Sequence, residues 1–142
     1  MLDDLDDAHL AALPGILQGV EDRRHGALLE TFLTESGRVA LVSGGTEPCG
    51  IALAYERNVT GLPIVRQVRA AEIDALVVQR DHRRQGHGRA LVEGVVAWAQ
   101  TRGAARIELG VYEFNDDARA FWQSMGFDTL SRRLHKAIDR SE

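Results

Sequence analysis

Cysteine is nearly absent from this chain, because Cys49 is the only one among 142 residues. No intrachain disulfide can form, and a cytoplasmic location is expected. The acidic N-terminus, MLDDLDDAHL, lacks the charged and then apolar layout of a signal peptide. No apolar run approaches the ~20 residues that span a bilayer. The sequence therefore predicts neither a secretory leader nor a membrane anchor.

An excess of positive charge is also lacking. The chain has 17 Lys and Arg against 21 Asp and Glu, so its formal net charge is −4. Proteins that bind nucleic acid usually present a basic face, and this balance argues against that role. The length suits one domain, and we expect residues 1–142 to form it.

The hydrophobic pattern predicts strands interleaved with helices. Strands are predicted over residues 39–42, 50–55, 65–68, 71–78 and 106–111, with a last strand within 127–138. Helices are predicted over residues 2–13, 21–35 and 88–102, followed by a short helix capped by Asn115, and a loop over 57–63. This order indicates an α/β (α+β) fold, with helices on both faces of one sheet.

One basic segment stands out in this acidic chain. RDHRRQGHGRAL, residues 80–91, lies between a predicted strand and a predicted helix. Glycines let the backbone approach a ligand, and a helix N-terminus attracts anions, so the segment predicts a phosphate or pyrophosphate site. The segment lacks a P-loop's G-x-x-x-x-G-K-[ST], and Leu91 stands where a dinucleotide fingerprint needs its third small residue.

Two motifs together resemble the GNAT superfamily of N-acetyltransferases. Arg83-x-x-Gly86-x-Gly88 is similar to the family's pyrophosphate-binding loop, and NDDARAFWQSMGF, residues 115–127, is similar to its closing motif. With AEIDALVV, residues 71–78, the resemblance covers about residues 50–136. It implies a mixed, mostly antiparallel sheet with acetyl-CoA as co-substrate. It also implies direct transfer to a primary amine of a small molecule or protein within a ternary complex.

The resemblance also implies which residues bind the cofactor. The pyrophosphate would lie on the loop and helix start, and the pantetheine arm along the preceding strand and near the closing motif. The implied residues are Leu76, Val77, Val78, Arg83, Arg84, Gln85, Gly86, His87, Gly88, Arg89, Asn115, Ala118 and Trp122.

Glu72 is the first candidate for the general base. It lies 14 residues before Gly86, the offset at which histone-type members of the superfamily carry their glutamate. Strand alternation predicts Asp74 on the same face beside it, which makes Asp74 the second candidate. Glu108 and Glu113 are further acidic candidates.

Two departures from the family pattern keep alternatives open. Trp122 stands where many members have the tyrosine that protonates the departing thiolate, and an indole N–H is not a proton source near neutral pH. Tyr112 is a candidate substitute for this general acid. The chain also opens in a predicted helix where the family commonly begins with a strand. A degenerate acyl-CoA-binding protein without transferase activity therefore stays open, as does a dinucleotide-binding oxidoreductase.

No metal site is predicted. His82 and His87 lie five residues apart in a loop without a cysteine cluster, which is a poor ligand pattern. Cys49 is expected to be a small core residue. Neither the amine acceptor nor the oligomeric state, a homodimer included, follows from the sequence.

Overall fold

The computed structural model describes residues 36–59, 63–64 and 68–139. The helices predicted over residues 2–13 and 21–35, and the question of a strand before them, lie outside the described residues. The chain divides into two compact units, Met1–Gly110 and Val111–Glu142. That residues 1–142 form one domain stays a prediction.

The described part of the first unit contains a mixed sheet of four strands. They are β1 (Arg38–Gly44), β2 (Pro48–Val59), β3 (Val68–Val78) and β4 (Arg106–Leu109), in the spatial order β1-β2-β3-β4. The first three strands run antiparallel, and β4 runs parallel to β3. The predicted α/β class with a mixed, mostly antiparallel sheet is therefore confirmed.

Pairing across the sheet changes three of the predicted strand limits. Residues 57–59 were predicted as loop, yet they continue β2, because Arg57, Asn58 and Val59 each have a partner in β3. The strand predicted over 71–78 begins earlier, since β3 is continuous from Val68 to Val78. Residues 65–67 of the strand predicted over 65–68 lie outside the described residues. Ladder hydrogen bonds thus outweigh the polar local sequence.

The fourth strand is shorter than predicted and ends beside a β-bulge. The β2–β3 register steps from Ala54↔Ile73 to Leu53↔Ala75, so β3 carries one extra residue. Such a bulge bends and twists the strand that contains it. The parallel pairing of β3 with β4 ends at the same level, at Ile73↔Leu109. We infer that the bulge separates the two strands, which leaves residues 75–78 extending beyond β4.

Helix α1 spans His87–Thr101 and packs on the sheet. Its buried side chains are Leu91, Val92, Val95 and Ala99. Gly94 permits this close packing, since a Cβ there would lie 3.0 Å from Leu41 Cδ1. The helix ends at a Schellman turn in which the Ala104 N–H donates to the Ala99 carbonyl at 3.0 Å, and Gly103 has φ +74° as predicted for a C-terminal glycine.

The second unit contains helix α2, Asp116–Ser124. The last strand predicted within 127–138 is wrong, because residues 127–139 form no regular secondary structure. A strand needs a ladder partner, and the described part of this unit contains no other strand. Within the described residues no helix is both long enough and apolar enough to cross a bilayer.

Candidate active site

The basic segment forms a tight turn between β3 and α1. A short 3-10 helix, Arg80–His82, follows β3, and residues 83–86 then lead into α1; we call these four residues the 83–86 turn. Arg84 has φ +62° and Gly86 has φ +86°, so the turn depends on two left-handed residues. A Cβ at Gly86 would meet no atom within 4 Å, so backbone conformation and not packing calls for glycine there. The predicted strand–turn–helix arrangement is confirmed.

The N-terminus of α1 has no acidic residue in its own first turn. No side chain of the described residues caps it at Gly86. Helix α2 differs, because Asn115 caps it and Asp116 and Asp117 lie in its first turn. The first N–H groups of a helix are unpaired within the helix and carry a partial positive charge. The start of α1 is therefore suited to an external anion.

The arginines of the segment have different surroundings. Arg83 donates from Nε to the Val78 carbonyl at 3.1 Å, which fastens the turn to the end of β3. Arg84 and Arg89 are exposed, as is Gln85. Arg83 therefore has a structural role that the sequence did not predict, whereas Arg84 and Arg89 surround the start of α1 with positive charge.

The edge of β3 next to this turn extends past β4. Residues 75–78 continue beyond the last β3–β4 pair, Ile73↔Leu109. Their other edge is occupied by β2, up to the pair Gly50↔Val78. No strand within the described residues pairs with this edge, and backbone groups of such an edge can bind an extended ligand as another strand would. The predicted ligand-binding stretch, Leu76, Val77 and Val78, lies in this part of β3.

Glu72 lies in a row of polar residues that crosses the sheet. The strand registers place Arg38, Tyr55, Glu72 and Glu108 in line across β1 to β4. Glu72 Oε2 accepts hydrogen bonds from Tyr55 Oη at 2.7 Å and from Arg57 Nη1 at 2.6 Å. No described residue donates to Glu72 Oε1. One carboxylate oxygen is thus anchored and the other is open, which is a geometry suited to accepting a proton.

The phenol of Tyr55 is held in its protonated form. Burial, then the hydrogen bond to Glu72 and the charges of Glu72 and Asp74, raise the pKa of Tyr55 from 10.0 to about 12, against the opposing charge of Arg57. Tyr55 therefore remains a hydrogen-bond donor to Glu72 at neutral pH. Its contribution to the free energy of unfolding is complete below about pH 10 and is lost as the pH rises through the folded-state value.

An alkaline titration tests this environment. The chain has two tyrosines, so the phenolate absorbance of the wild type minus that of Tyr55→Phe isolates Tyr55. We expect a midpoint near the folded-state pKa of about 12, and a lower midpoint in Glu72→Gln, which removes the negative charge. A Tyr55 midpoint near 10 in the folded wild type, the ordinary value for tyrosine, would contradict the hydrogen-bonded arrangement.

The burial of β3 agrees with the predicted shared face of Glu72 and Asp74. Ile73 and Ala75 are buried, whereas Glu72 is half-buried and Asp74 is exposed, so burial alternates even though the pairing with β2 contains a bulge here. The charges of Glu72 and Asp74 both contribute to the raised pKa of Tyr55. Glu108 lies opposite Glu72 on β4 by register and is bonded to Arg106 at 3.3 Å. The bulge is a property of the pairing and could not be read from β3 alone.

The second unit shows what holds the closing motif. Asn115 Oδ1 accepts a hydrogen bond from the Ala118 N–H at 3.1 Å, which confirms the predicted helix cap. Helix α2 ends in a Schellman turn at Gly126, φ +90°, where the Phe127 N–H donates to the Trp122 carbonyl. The Trp122 ring packs edge-on against Phe127 with centroids 5.1 Å apart. The indole therefore has a packing role in closing this turn.

Replacing Asn115 separates its two predicted roles. We expect Asn115→Ala to lower the free energy of unfolding by about 1 kcal/mol, because the α2 cap is lost. Asn115→Ser keeps a capping oxygen and should lose far less, as measured by chemical denaturation. If acetyl-CoA binding falls equally in both variants, the amide also contacts the cofactor. Equal stability of Asn115→Ala and wild type would contradict the capping role.

The structure also brings together residues that the sequence separates. His87 is the first residue of α1, yet its imidazole reaches Ser43 on β1 and Cys49 on β2. Its predicted contact with phosphate can therefore come from its backbone, not from its ring. Cys49 is buried, as predicted for a core residue. Its proximity to His82 and His87 was missed, because a contact across 38 residues has no local signal.

Comparison with known proteins agrees with this geometry. A model of the acetyltransferase (GNAT) family matches residues 3–127. The ribosomal protein bS18-alanine N-acetyltransferase of Escherichia coli is 36% identical over 69 residues, which is 47% of this chain and 47% of that enzyme. The chain thus spans about half the length of this relative.

Solved structures share the fold. A tetramutant of the BH1408 protein from Bacillus halodurans superposes with a TM-score of 0.88 at 20% identity, covering 96% of this chain and 88% of that one. The aminoglycoside N-acetyltransferase AAC(6')-Iy, bound to the bisubstrate analogue CoA-S-monomethyl-acetylneamine, gives a TM-score of 0.67 at 18% identity, with 95% and 81% covered. Identities this low establish the fold alone.

Proposed function

This chain belongs to the acetyltransferase (GNAT) family, and we propose that it transfers the acetyl group of acetyl-CoA to a primary amine of a small molecule or protein. The observation that carries the proposal is the uncapped N-terminus of α1 directly after the protruding end of β3. The two relatives named above, an alanine N-acetyltransferase and an aminoglycoside N-acetyltransferase, both act on nitrogen. A solved complex of the second contains a CoA derivative, which supports the same co-substrate here.

The pyrophosphate of acetyl-CoA binds at the start of α1 in this proposal. The N–H groups of the first turn of α1, beginning after Gly86, donate to its oxygens. Arg84 and Arg89 add charge from the exposed side. Gly86 adopts the left-handed conformation that favours glycine. Because it has no side chain, the space in which a Cβ would lie stays available to the pyrophosphate.

The pantetheine arm then follows the edge of β3. Backbone groups of Leu76, Val77 and Val78 bond its amides, in the part of the strand that β4 does not reach. An N–H in this stretch donates to the thioester oxygen as negative charge develops on it. The thioester consequently lies toward the bulge, and Glu72 follows two residues beyond it on the same strand.

Glu72 acts as the general base. Its open Oε1 takes a proton from the substrate ammonium, while Tyr55 and Arg57 hold Oε2 and orient the carboxylate. The amine nitrogen attacks the thioester carbonyl within the ternary complex; a C–N bond forms, the C–S bond breaks, and the nitrogen gives up its second proton to solvent as it becomes the amide nitrogen. The sulfur leaves as CoA thiolate and takes a proton from water, since free thiols titrate near ~8.5 and are fair leaving groups.

A second candidate is an acyl-CoA-binding protein that does not transfer. The observation favouring it is Trp122, whose ring closes the C-terminal turn of α2 and donates no proton near neutral pH. Tyr112, the other candidate acid, stacks on Phe114 with centroids 6.0 Å apart. Such a protein would bind acyl-CoA through the pyrophosphate site but would not catalyse acetyl transfer.

One assay separates the candidates. The full chain is incubated with acetyl-CoA and a panel of primary amines, and release of free CoA thiol is measured alongside acetyl-CoA and NAD(H) binding by calorimetry. Amine-dependent release supports the transferase. Tight acetyl-CoA binding without release for any amine supports the binding protein, and NAD(H) binding stronger than acetyl-CoA binding would overturn both in favour of an oxidoreductase. A cytoplasmic location and the absence of nucleic-acid and membrane partners stay predictions.

A further inference from the structure

Three potential metal ligands meet beneath the 83–86 turn. Cys49 comes from β2, His82 from the 3-10 turn and His87 from the start of α1. Their ligand atoms all lie within 4.8 Å of one another. Cys49 is buried, His87 half-buried and His82 exposed, so the cluster runs from the core to the surface. The proposed transfer reaction uses none of these three side chains.

The separation between Cys49 and His87 is that of two ligands on one ion. Cys49 Sγ lies 3.4 Å from His87 Nε2. Tetrahedral zinc, with Zn–S near 2.3 Å and Zn–N near 2.0–2.1 Å, places sulfur and nitrogen about 3.5 Å apart. The ligand atom of the exposed His82 lies within 4.8 Å of the other two, beside the third corner of such a tetrahedron.

The other nitrogen of His87 is already oriented. Ser43 Oγ lies 2.5 Å from His87 Nδ1. A metal-binding histidine usually donates its second ring N–H to a neighbouring oxygen, which fixes the tautomer and the ring plane. With Nδ1–H donated to Ser43, the lone pair of Nε2 faces the Cys49 sulfur. The Cys49 thiol donates to the Ser43 carbonyl at 3.5 Å, and once it loses that proton its sulfur can share a metal ion with Nε2 at the 3.4 Å separation.

We propose that Cys49, His82 and His87 bind a zinc ion. Two imidazoles and a thiolate bind zinc in preference to magnesium or calcium, because those two ions prefer oxygen ligands. Binding forms one Zn–S and two Zn–N bonds, and the Cys49 thiol proton passes to solvent. Three protein ligands leave a fourth position for water.

The site would fix the turn that precedes α1. His82 and His87 stand on either side of residues 83–86, so one ion would fasten both ends of the turn to β2. Zinc would thereby restrict the two left-handed residues, Arg84 and Gly86. Zinc would bind the imidazole ring of His87, whereas the proposed pyrophosphate contact uses the backbone N–H groups of the α1 start. Zinc binding therefore does not depend on acetyl-CoA binding.

The test is metal binding by the full, tag-free chain. Zinc affinity is measured by competition with a chromophoric chelator, and cobalt substitution reports thiolate ligation through a sulfur-to-metal charge-transfer band. We expect one equivalent of zinc and a cobalt band that Cys49→Ser abolishes. Cys49→Ser and His82→Ala should each weaken zinc binding at least tenfold. His82→Ala alters an exposed side chain, so its fold is expected to survive, and circular dichroism confirms this for each variant.

His135→Ala is the matched control, because His135 is exposed and lies in the second unit. It should bind zinc as the wild type does, and magnesium should bind to neither protein. The wild type should also unfold at a higher temperature with zinc, and Cys49→Ser should not. Zinc affinity unchanged in both Cys49→Ser and His82→Ala, or absence of stoichiometric binding by the wild type, would overturn the proposal.

Discussion

Replacing Glu72 with glutamine is expected to lower kcat for acetyl transfer about 100-fold at pH 7, the scale of a lost general base. Glutamine has nearly the same shape as glutamate, and its side-chain oxygen can still accept hydrogen bonds from Tyr55 and Arg57. The sheet should therefore stay intact. The deficit should shrink as the pH rises, because a growing share of the amine acceptor loses its proton without assistance. The measurement is the ratio of mutant to wild-type kcat between pH 6.5 and 10, pH values chosen to bracket the ionisation of a typical amine.

Glu56→Gln is the matched control for this variant. Glu56 is also a strand glutamate held by an arginine, because Arg102 binds it through two nitrogens at 2.8 and 3.0 Å. Arg102 lowers the pKa of Glu56. The Glu56→Gln control therefore removes a carboxylate that is also bonded to an arginine, but that is not the proposed base. If Glu72→Gln shows a pH-independent deficit, or one no larger than that of Glu56→Gln, Glu72 is not the base.

Reversing the charge at Arg84 should raise the dissociation constant for acetyl-CoA at least tenfold. An acidic side chain would face the pyrophosphate where a guanidinium now adds positive charge beside the α1 N-terminus, and a tenfold loss corresponds to ~1.4 kcal/mol. Calorimetric titration of Arg84→Glu measures the effect. Salt should narrow the difference between variant and wild type, since the interaction is exposed.

Two further variants isolate the charge. Arg84→Gln keeps a long side chain at the same left-handed position, φ +62°, and should fall between wild type and Arg84→Glu. Arg132→Glu changes the net charge equally at an exposed position of the second unit and should bind acetyl-CoA as the wild type does. Wild-type affinity in Arg84→Glu would remove the 83–86 turn from the cofactor site.

The sequence predicted helix ends and caps correctly where the residues that determine them are near neighbours along the chain. Gly86 and Gly103 both take the positive φ expected at the two ends of α1, and Asn115 caps α2. The strand predicted within 127–138 is wrong because a strand depends on a partner that is distant in the sequence. Its composition permits a strand, but a strand exists only with a partner, and the described part of its unit supplies none.

The candidate site was predictable in part. The order of β3, turn and α1 followed from the sequence, because hydrophobic periodicity and glycine placement are local. The partners of Glu72 did not, since Tyr55 and Arg57 lie 17 and 15 residues away and reach it through strand register. The bulge between Ile73 and Ala75 is likewise a feature of the β2–β3 pairing.

The sequence by itself determined the family, the glycine-containing turn before α1 and the position of the acidic candidate on β3. Only the tertiary structure decided which atoms surround those residues: the anchors on Glu72, the fastening of Arg83 to Val78, and the meeting of Cys49 with His82 and His87. The physical reason is that backbone conformation responds to near neighbours along the chain. Side-chain environment, in contrast, depends on register and packing between segments far apart in sequence.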